Sequence, residues 1–204
     1  MKIIDQYYKI ESSSSPKQIM EFLEKAGRTA YKSEGKIQQG SATKFLRKII
    51  LSGHESVLEH VNLSVRFITD RGVTHELVRH RLASYTQEST RYCNYGTGDL
   101  QFIRPVFWEE KSLEFQNWES AMLAAENYYR WFIQQGNSPQ QARSVLPNSL
   151  KTEIIATANI REWRHIMKLR TSKAAHPQMR ELMIPLLRDF KELLPDLFFD
   201  IEVK

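Results

Sequence analysis

An α+β fold follows from three features of this 204-residue sequence. Short runs with the period of a strand occur at 2–10, 57–68 and 151–158. Longer stretches with a helical apolar stripe lie between and after them. The two kinds of segment do not alternate strictly as β-α-β units, which a doubly wound parallel fold requires. The length and a hydrophobic fraction of 41% suit a single domain, 1–204, around one core.

Each element has its own signal. KIIDQYYKI at 2–10 reads as a strand. Ser-Ser-Ser-Ser-Pro at 12–16 predicts a turn and the start of a helix, with Pro16 at its first position and Met20, Phe22 and Leu23 on its apolar stripe. A second helix is expected over 42–52, with Phe45, Ile49 and Ile50 inward. Val61, Leu63, Val65 and Phe67 alternate with polar residues, as in a half-buried strand. Asp70-Arg71-Gly72 predicts a turn, and Val73, Leu77 and Val78 a short helix to about Leu82. The polar stretch 84–98 reads as an ordered loop. Residues 111–135 predict a long helix, ended by Gly136-Asn137-Ser138-Pro139, and a short helix holding Ala142 and Arg143 precedes Pro147. KTEIIATA at 151–158 reads as a strand. Asn159 and Glu162 have capping-box spacing for the next helix, and a final helix follows Pro177 with Leu182, Met183, Leu186, Leu187, Phe190 and Leu194 on one stripe.

Composition excludes several classes. Aromatics at 11% and the absence of polar low-complexity tracts argue against disorder. The one cysteine, Cys93, excludes an intrachain disulfide and a Cys-based zinc cage. A lone thiol fits a reducing compartment, so a cytoplasmic location is expected. No apolar run is long enough to span a membrane, and the first residues are too short in apolar length for a signal peptide. A net charge of +5 permits nucleic acid or small phosphorylated ligands without choosing between them. There is no Gly-x-Gly-x-x-Gly and no Walker loop.

Three clusters carry chemistry. His54, Glu55, Glu59 and His60 have the composition of metal ligands. A break between helix and strand is expected to separate the two histidines, so helical ligand spacing does not apply and no metal is expected; a polar turn at a helix end explains the cluster equally. Arg79-His80-Arg81, followed by Ser84, Gln87, Ser89 and Arg91, gathers donors suited to an anion, since guanidinium forks match phosphate oxygens. A solvated basic surface is the alternative. In Asn159–Arg170, a helical wheel puts Arg170 on the face of Trp163, Ile166 and Met167, with Arg161 and His165 opposite. A guanidinium there needs a partner, either a ligand or a structural carboxylate.

Arg79-His80-Arg81, seven further residues and then Ser89 resembles the signature of the flavin-dependent thymidylate synthase (ThyX) family. RHRLASYTQESTRY looks like that family's whole central block. GHESVLEH at 53–60 before it, and ARSVLPNSLKT at 142–152 and NIREWRHIMKLR at 159–170 after it, resemble further family blocks in the expected order. The resemblance runs from about residue 28 to about residue 190.

The resemblance implies methylation of dUMP to dTMP, with methylenetetrahydrofolate giving the carbon, reduced FAD the hydride, and NADPH the electrons for the flavin. It implies an antiparallel sheet with flanking helices, and a homotetramer whose sites are shared between subunits. Its ligands are small anions, so neither nucleic acid nor membrane is expected as a partner. By position, FAD would be held by His54, Ser56, Arg79, His80, Arg81, Gln87, Asn159, Ile160, Arg161 and His165. The dUMP side would use Glu76, Leu77, Val78, Arg79, Gln87, Glu88, Ser89, Thr90 and Arg91, completed by Arg143 and Arg170 of another subunit. Arg170 would be catalytic, stabilising charge on the pyrimidine as its imide nitrogen ionises. Two rivals remain. A cysteine-dependent thymidylate synthase would need Cys93 as its thiolate, although the flanks of Cys93 resemble the end of the flavin-type block. A nucleic-acid-binding module could stack bases on Tyr85, Tyr92 and Tyr95, but no recognised motif accompanies them.

Overall fold

The run at 2–10, expected as one strand, is two: β1 (Lys2–Ile4) and β2 (Tyr7–Ile10). A computed structural model of the chain, which describes residues 1–11, 14–96, 98 and 100–203, places them in different sheets. The other strands are β3 (Asn62–Asp70), β4 (Ala83–Gln87), β5 (Gln101–Ile103) and β6 (Lys151–Asn159). The larger sheet has the order β2-β3-β6-β4. Its contacts run in opposite senses: Ser64 meets Thr157 while Arg66 meets Glu153, so β3 and β6 are antiparallel. The expectation of an antiparallel sheet needs one correction. β1 and β5 pair in parallel, Ile3 opposite Phe102. Parallel pairing needs a long crossover, and the chain supplies one by running through β2, β3 and β4 in between.

Alternation accounts for the long strands. Leu63, Val65 and Phe67 of β3 are fully buried, as are Ile154 and Ala156 of β6. The strand expected from 57 begins late, because Glu55–His60 is a 3-10 turn around buried Leu58. β4 lies where a loop was expected. It is an edge strand whose burial alternates only between partial and exposed, so its sequence carries no apolar signal.

Local chemistry sets the helix ends. In α1 (Pro16–Thr29), Ser15 and Gln18 form a reciprocal capping box with Pro16 in the first turn. Ser12 and Ser13 of the expected turn lie outside the described residues, as does Thr97 of the expected 84–98 loop. Ile19 and Leu23 carry the buried face of α1, while Phe22 is half exposed. In α2 (Ser41–Leu51) the buried face is Leu46, Ile49 and Ile50. The expected turn at Asp70 is the N-cap of α3 (Arg71–Leu77), its carboxylate accepting from Val73 N at 2.7 Å. This helix stops before the expected Leu82. Further on come α4 (Leu113–Gln134), α5 (Pro139–Ala142), α6 (Ile160–Arg170), α7 (Pro177–Leu193) and α8 (Pro195–Phe198). All six residues expected on the α7 stripe are buried.

The chain forms two compact units, each threaded by three segments. The first comprises Met1–Lys9, Arg66–Arg79 and Tyr85–Ala156; the second, Ile10–Val65, His80–Ser84 and Thr157–Lys204. The first packs Phe102, Phe115, Trp118, Met122 and Tyr129 into one cluster. In the second, Trp163 of α6 lies edge-on to Phe190 of α7 at 5.4 Å and donates its indole N–H to Leu63 O at 2.9 Å.

Candidate active site

α6 positions the first part of the site. Asn159 ends β6 and caps α6, accepting from Glu162 N at 2.8 Å. The Glu162 carboxylate points elsewhere, with Oε1 3.4 Å from His80 Nδ1. Three turns of helix from Asn159, Arg170 is partly buried, and its Nε donates to His80 Nε2 at 3.0 Å. His80 Nε2 is therefore an acceptor, and the neutral ring carries its proton on Nδ1, facing Glu162. His165 lies edge-on to His80 at 5.6 Å. Two segments far apart in the sequence, around His80 and around Arg170, are thus joined in the second unit.

Burial, then the charges of Arg170 and His165, lower the His80 pKa to about 4. Burial raises that of Glu162, against an opposing pull from His165. The contact between His80 and Glu162 is thus not an ion pair at neutral pH. Donor atoms of His80, Glu162 and His165 lie within 4.8 Å of one another. The Arg170 cation on His80 works against a metal cation there.

The lowered His80 pKa has a consequence for stability. Between about pH 6.5 and pH 4 the unfolded chain binds a proton that the folded chain refuses, so stability falls as pH falls through that window. The flavin-free protein is expected to lose about 2 kcal/mol between pH 7 and pH 5 from this group. Denaturant titrations at the two pH values check it, with His80→Gln as reference. An equal loss in that variant would exclude His80 as the source.

Beside this cluster is a cavity of about 540 Å³ lined by Asn159, Arg161, Glu162, His165 and Lys168 of α6, with Glu55, Glu59 and Leu82. Arg161 and His165 face outward, as the wheel predicts. Arg161 pairs with Glu59 at 2.5 Å across an exposed surface. His54 is exposed and its Nδ1 meets the Tyr31 hydroxyl at 3.3 Å; Ser56 and Arg81 are also exposed. The Ile160 side chain is fully buried, so only its main chain is available to a ligand.

The first unit holds the other expected residues. The Leu77 side chain is in the core, and its carbonyl accepts from Tyr85 Oη at 2.8 Å. Val78 and Arg79 are exposed and Glu76 is half-buried. Gln87 Nε2 donates to Thr74 Oγ1 and Thr152 Oγ1 at 3.0 and 3.2 Å, so its amide is fixed between α3 and β6. Glu88 accepts from Tyr95 Oη at 2.7 Å and from Lys151 Nζ at 3.0 Å. Burial, then Glu88, raises the Tyr95 pKa, so the phenol stays a donor. Ser89 Oγ accepts from Arg91 N at 3.3 Å. Buried Thr90 accepts from Arg143 Nη1 at 3.2 Å, and Arg91 is exposed. Glu162, Tyr95 and Lys151 were not legible as members of these networks. The partners of Glu162 and Lys151 lie far along the chain, and no helical or strand pattern ties Tyr95 to Glu88 seven residues before it.

Comparison with known proteins gives a consistent picture. The family model described as thymidylate synthase complementing protein matches residues 12–196. A flavin-dependent thymidylate synthase of Geobacter sulfurreducens is 37% identical over 182 residues, covering 86% of this chain and 78% of that one. One from Mycobacterium tuberculosis is 37% identical over 199 residues, with 89% and 79% covered. Among solved structures, a UMP/dUMP methylase, PolB from Streptomyces cacaoi bound with 5-Br dUMP, superimposes with a TM-score of 0.82 at 22% identity. That match covers 98% of this chain and 96% of the other, and establishes likeness of fold.

Proposed function

Because the chain belongs to the flavin-dependent thymidylate synthase family, we propose that it methylates dUMP reductively to dTMP. Methylenetetrahydrofolate is the carbon donor, and FAD reduced by NADPH is the hydride donor. The observation that carries this reading is the hydrogen bond from Arg170 to His80. It joins the Arg-His-Arg block to the 159–170 block, the two segments in which the family resemblance is densest. Carbon and hydride come from separate donors, so the folate leaves as tetrahydrofolate and the uracil loses its C5 proton. The whole chain, 1–204, acts as one functional domain.

The residues present fit an anionic cofactor. Arg79 and Arg81 have exposed side chains with no hydrogen bond or ion pair among the described residues. Arg161 is held by an exposed ion pair worth about 0–1 kcal/mol, so exchanging Glu59 for a phosphate is cheap. Bound FAD would supply hydride transfer. The chain's own part is to hold it through Arg79, Arg81, Arg161, Asn159 and His165, with His54 and Ser56 on the turn that follows α2 and neutral His80 beside them, its Nε2 on Arg170 and its Nδ1 3.4 Å from Glu162. On the substrate side, Gln87–Arg91 and Arg143 bind dUMP. Arg170 stabilises negative charge as the imide nitrogen loses its proton.

Assembly as a homotetramer with shared sites is part of the proposal. The second face of α4 supports it, since Leu123, Tyr128 and Trp131 are exposed apolar side chains of the kind partners cover. No helix among the described residues is long and apolar enough to cross a membrane; the proposed location is the cytoplasm.

The test is dTMP formation from dUMP with methylenetetrahydrofolate, NADPH and FAD, beside the absorbance of bound flavin. Cys93→Ser is expected to keep most of that activity, because the hydride route needs no thiolate. A folded, flavin-bound Cys93→Ser protein that makes no dTMP would return the cysteine-dependent mechanism.

A further inference from the structure

A second cavity, of about 720 Å³, lies away from α6, between the end of α1 and the start of α2. It is within the size range of small-molecule sites. Its walls carry Arg28, Lys36, Lys44 and Lys48, with Phe45 and Ser41 between them. Lys44 and Lys48 are one turn apart on the same face of α2, a spacing at which like charges repel.

Among the described residues, the buried carboxylate beneath this recess is already used. Glu24 is 2% exposed and accepts from Arg28 Nε at 2.8 Å and from Ser41 Oγ at 2.7 Å. Arg28 in turn lies over the Phe45 ring at 4.6 Å. The ion pair beneath the cavity is therefore closed on itself. The Lys36, Lys44 and Lys48 side chains are exposed, and their ammonium groups have no hydrogen bond or ion pair among the described residues. Three uncompensated ammonium groups around one recess call for an anion. Ammonium groups act as separate point charges rather than planar forks, so they suit charges spread along a ligand. Tyr31, five residues before Lys36, meets His54, one of the residues proposed to hold the flavin.

We infer that this cavity is a polyanion subsite that takes the charged tail of a cosubstrate, either the glutamate chain of the folate or the phosphates of NADPH. The assignment to a cosubstrate rests on the proposed function; the subsite itself does not. Two measurements on the flavin-loaded protein separate them. In the first, tetra-γ-glutamate and tripolyphosphate are titrated by calorimetry into wild type, Lys44→Glu/Lys48→Glu and Lys36→Glu. At least one probe should bind wild type and lose about tenfold or more in affinity in the variants. Equal binding in all three, or none in wild type, overturns the subsite whatever the enzyme's activity. In the second, KM is compared for mono- and tetraglutamyl methylenetetrahydrofolate, and for NADPH against NADH. The double variant should lose the wild-type preference for the more highly charged member of one pair, and that pair identifies the tail. Unchanged preferences in both pairs overturn the cosubstrate assignment.

Discussion

Arg170→Ala should fold, retain flavin and accept electrons from NADPH, yet form dTMP about 100- to 1,000-fold more slowly. The geometry gives the reason. Arg170 Nε donates to a neutral imidazole, so His80 orients the guanidinium without cancelling its charge. Arg161 and His165 are exposed on the other side of α6, and the substitution leaves them in place. The loss should appear in the oxidation of reduced flavin by dUMP and folate in a single turnover. Arg170→Lys should recover little, because an ammonium cannot supply both the bond to His80 and a planar fork. A second readout separates this role from a structural one. The Arg170 charge helps to lower the His80 pKa, so its removal should raise that value from about 4, measurable by NMR titration. A stable Arg170→Ala protein that turns over dUMP normally would exclude the catalytic role.

What the sequence showed depended on how local the cause was. Alternation in β3 and β6, the capping of α1 by Ser15 and the stripe of α7 are each written in a few neighbouring residues, and each is present. β4 was hidden because an edge strand with no fully buried side chain has no apolar rhythm. The split of 2–10 was hidden because it depends on β5 and β3 as partners far along the chain. The same division holds at the site. A helical wheel separates Arg161 and His165 from Trp163, but it cannot show that Glu162 turns from its cap position toward His80. Nor can it show that Lys151 and Tyr95 fix Glu88. An arginine among apolar neighbours does need a partner, and a residue other than Arg170 shows this most fully.

That residue is Arg164, 1% exposed in the middle of α6. Its Nη1 and Nη2 bind both carboxylate oxygens of Asp200 at 2.7 and 2.8 Å, Nη1 also donates to Leu197 O, and Nη2 reaches Glu55 at 3.2 Å. Burial opposes the charge, but Asp200 and Glu55 outweigh it and raise the Arg164 pKa; burial likewise opposes the Asp200 carboxylate, and Arg164 overcomes it to lower that pKa. Arg164→Ala should therefore cost about 1–3 kcal/mol from lost charged hydrogen bonds and packing of the buried guanidinium, since the Asp200 and Glu55 carboxylates left behind are reached by water. Asp200→Asn should act in the same direction. Because Asp200 has a lowered folded pKa, its contribution is present above the ordinary carboxylate range and is lost as pH falls through the folded value. Wild type should thus lose stability in acid where Asp200→Asn has less to lose. Arg164 also ties the turn bearing Glu55 and the chain end bearing Asp200 to the helix that supplies Asn159, Arg161 and His165. Its removal should lower the melting temperature and flavin retention together, the opposite pattern to Arg170→Ala. Thermal melts and FAD titrations of the two variants side by side test the contrast. A melting temperature unchanged in Arg164→Ala would show that the buried guanidinium contributes nothing to holding the site.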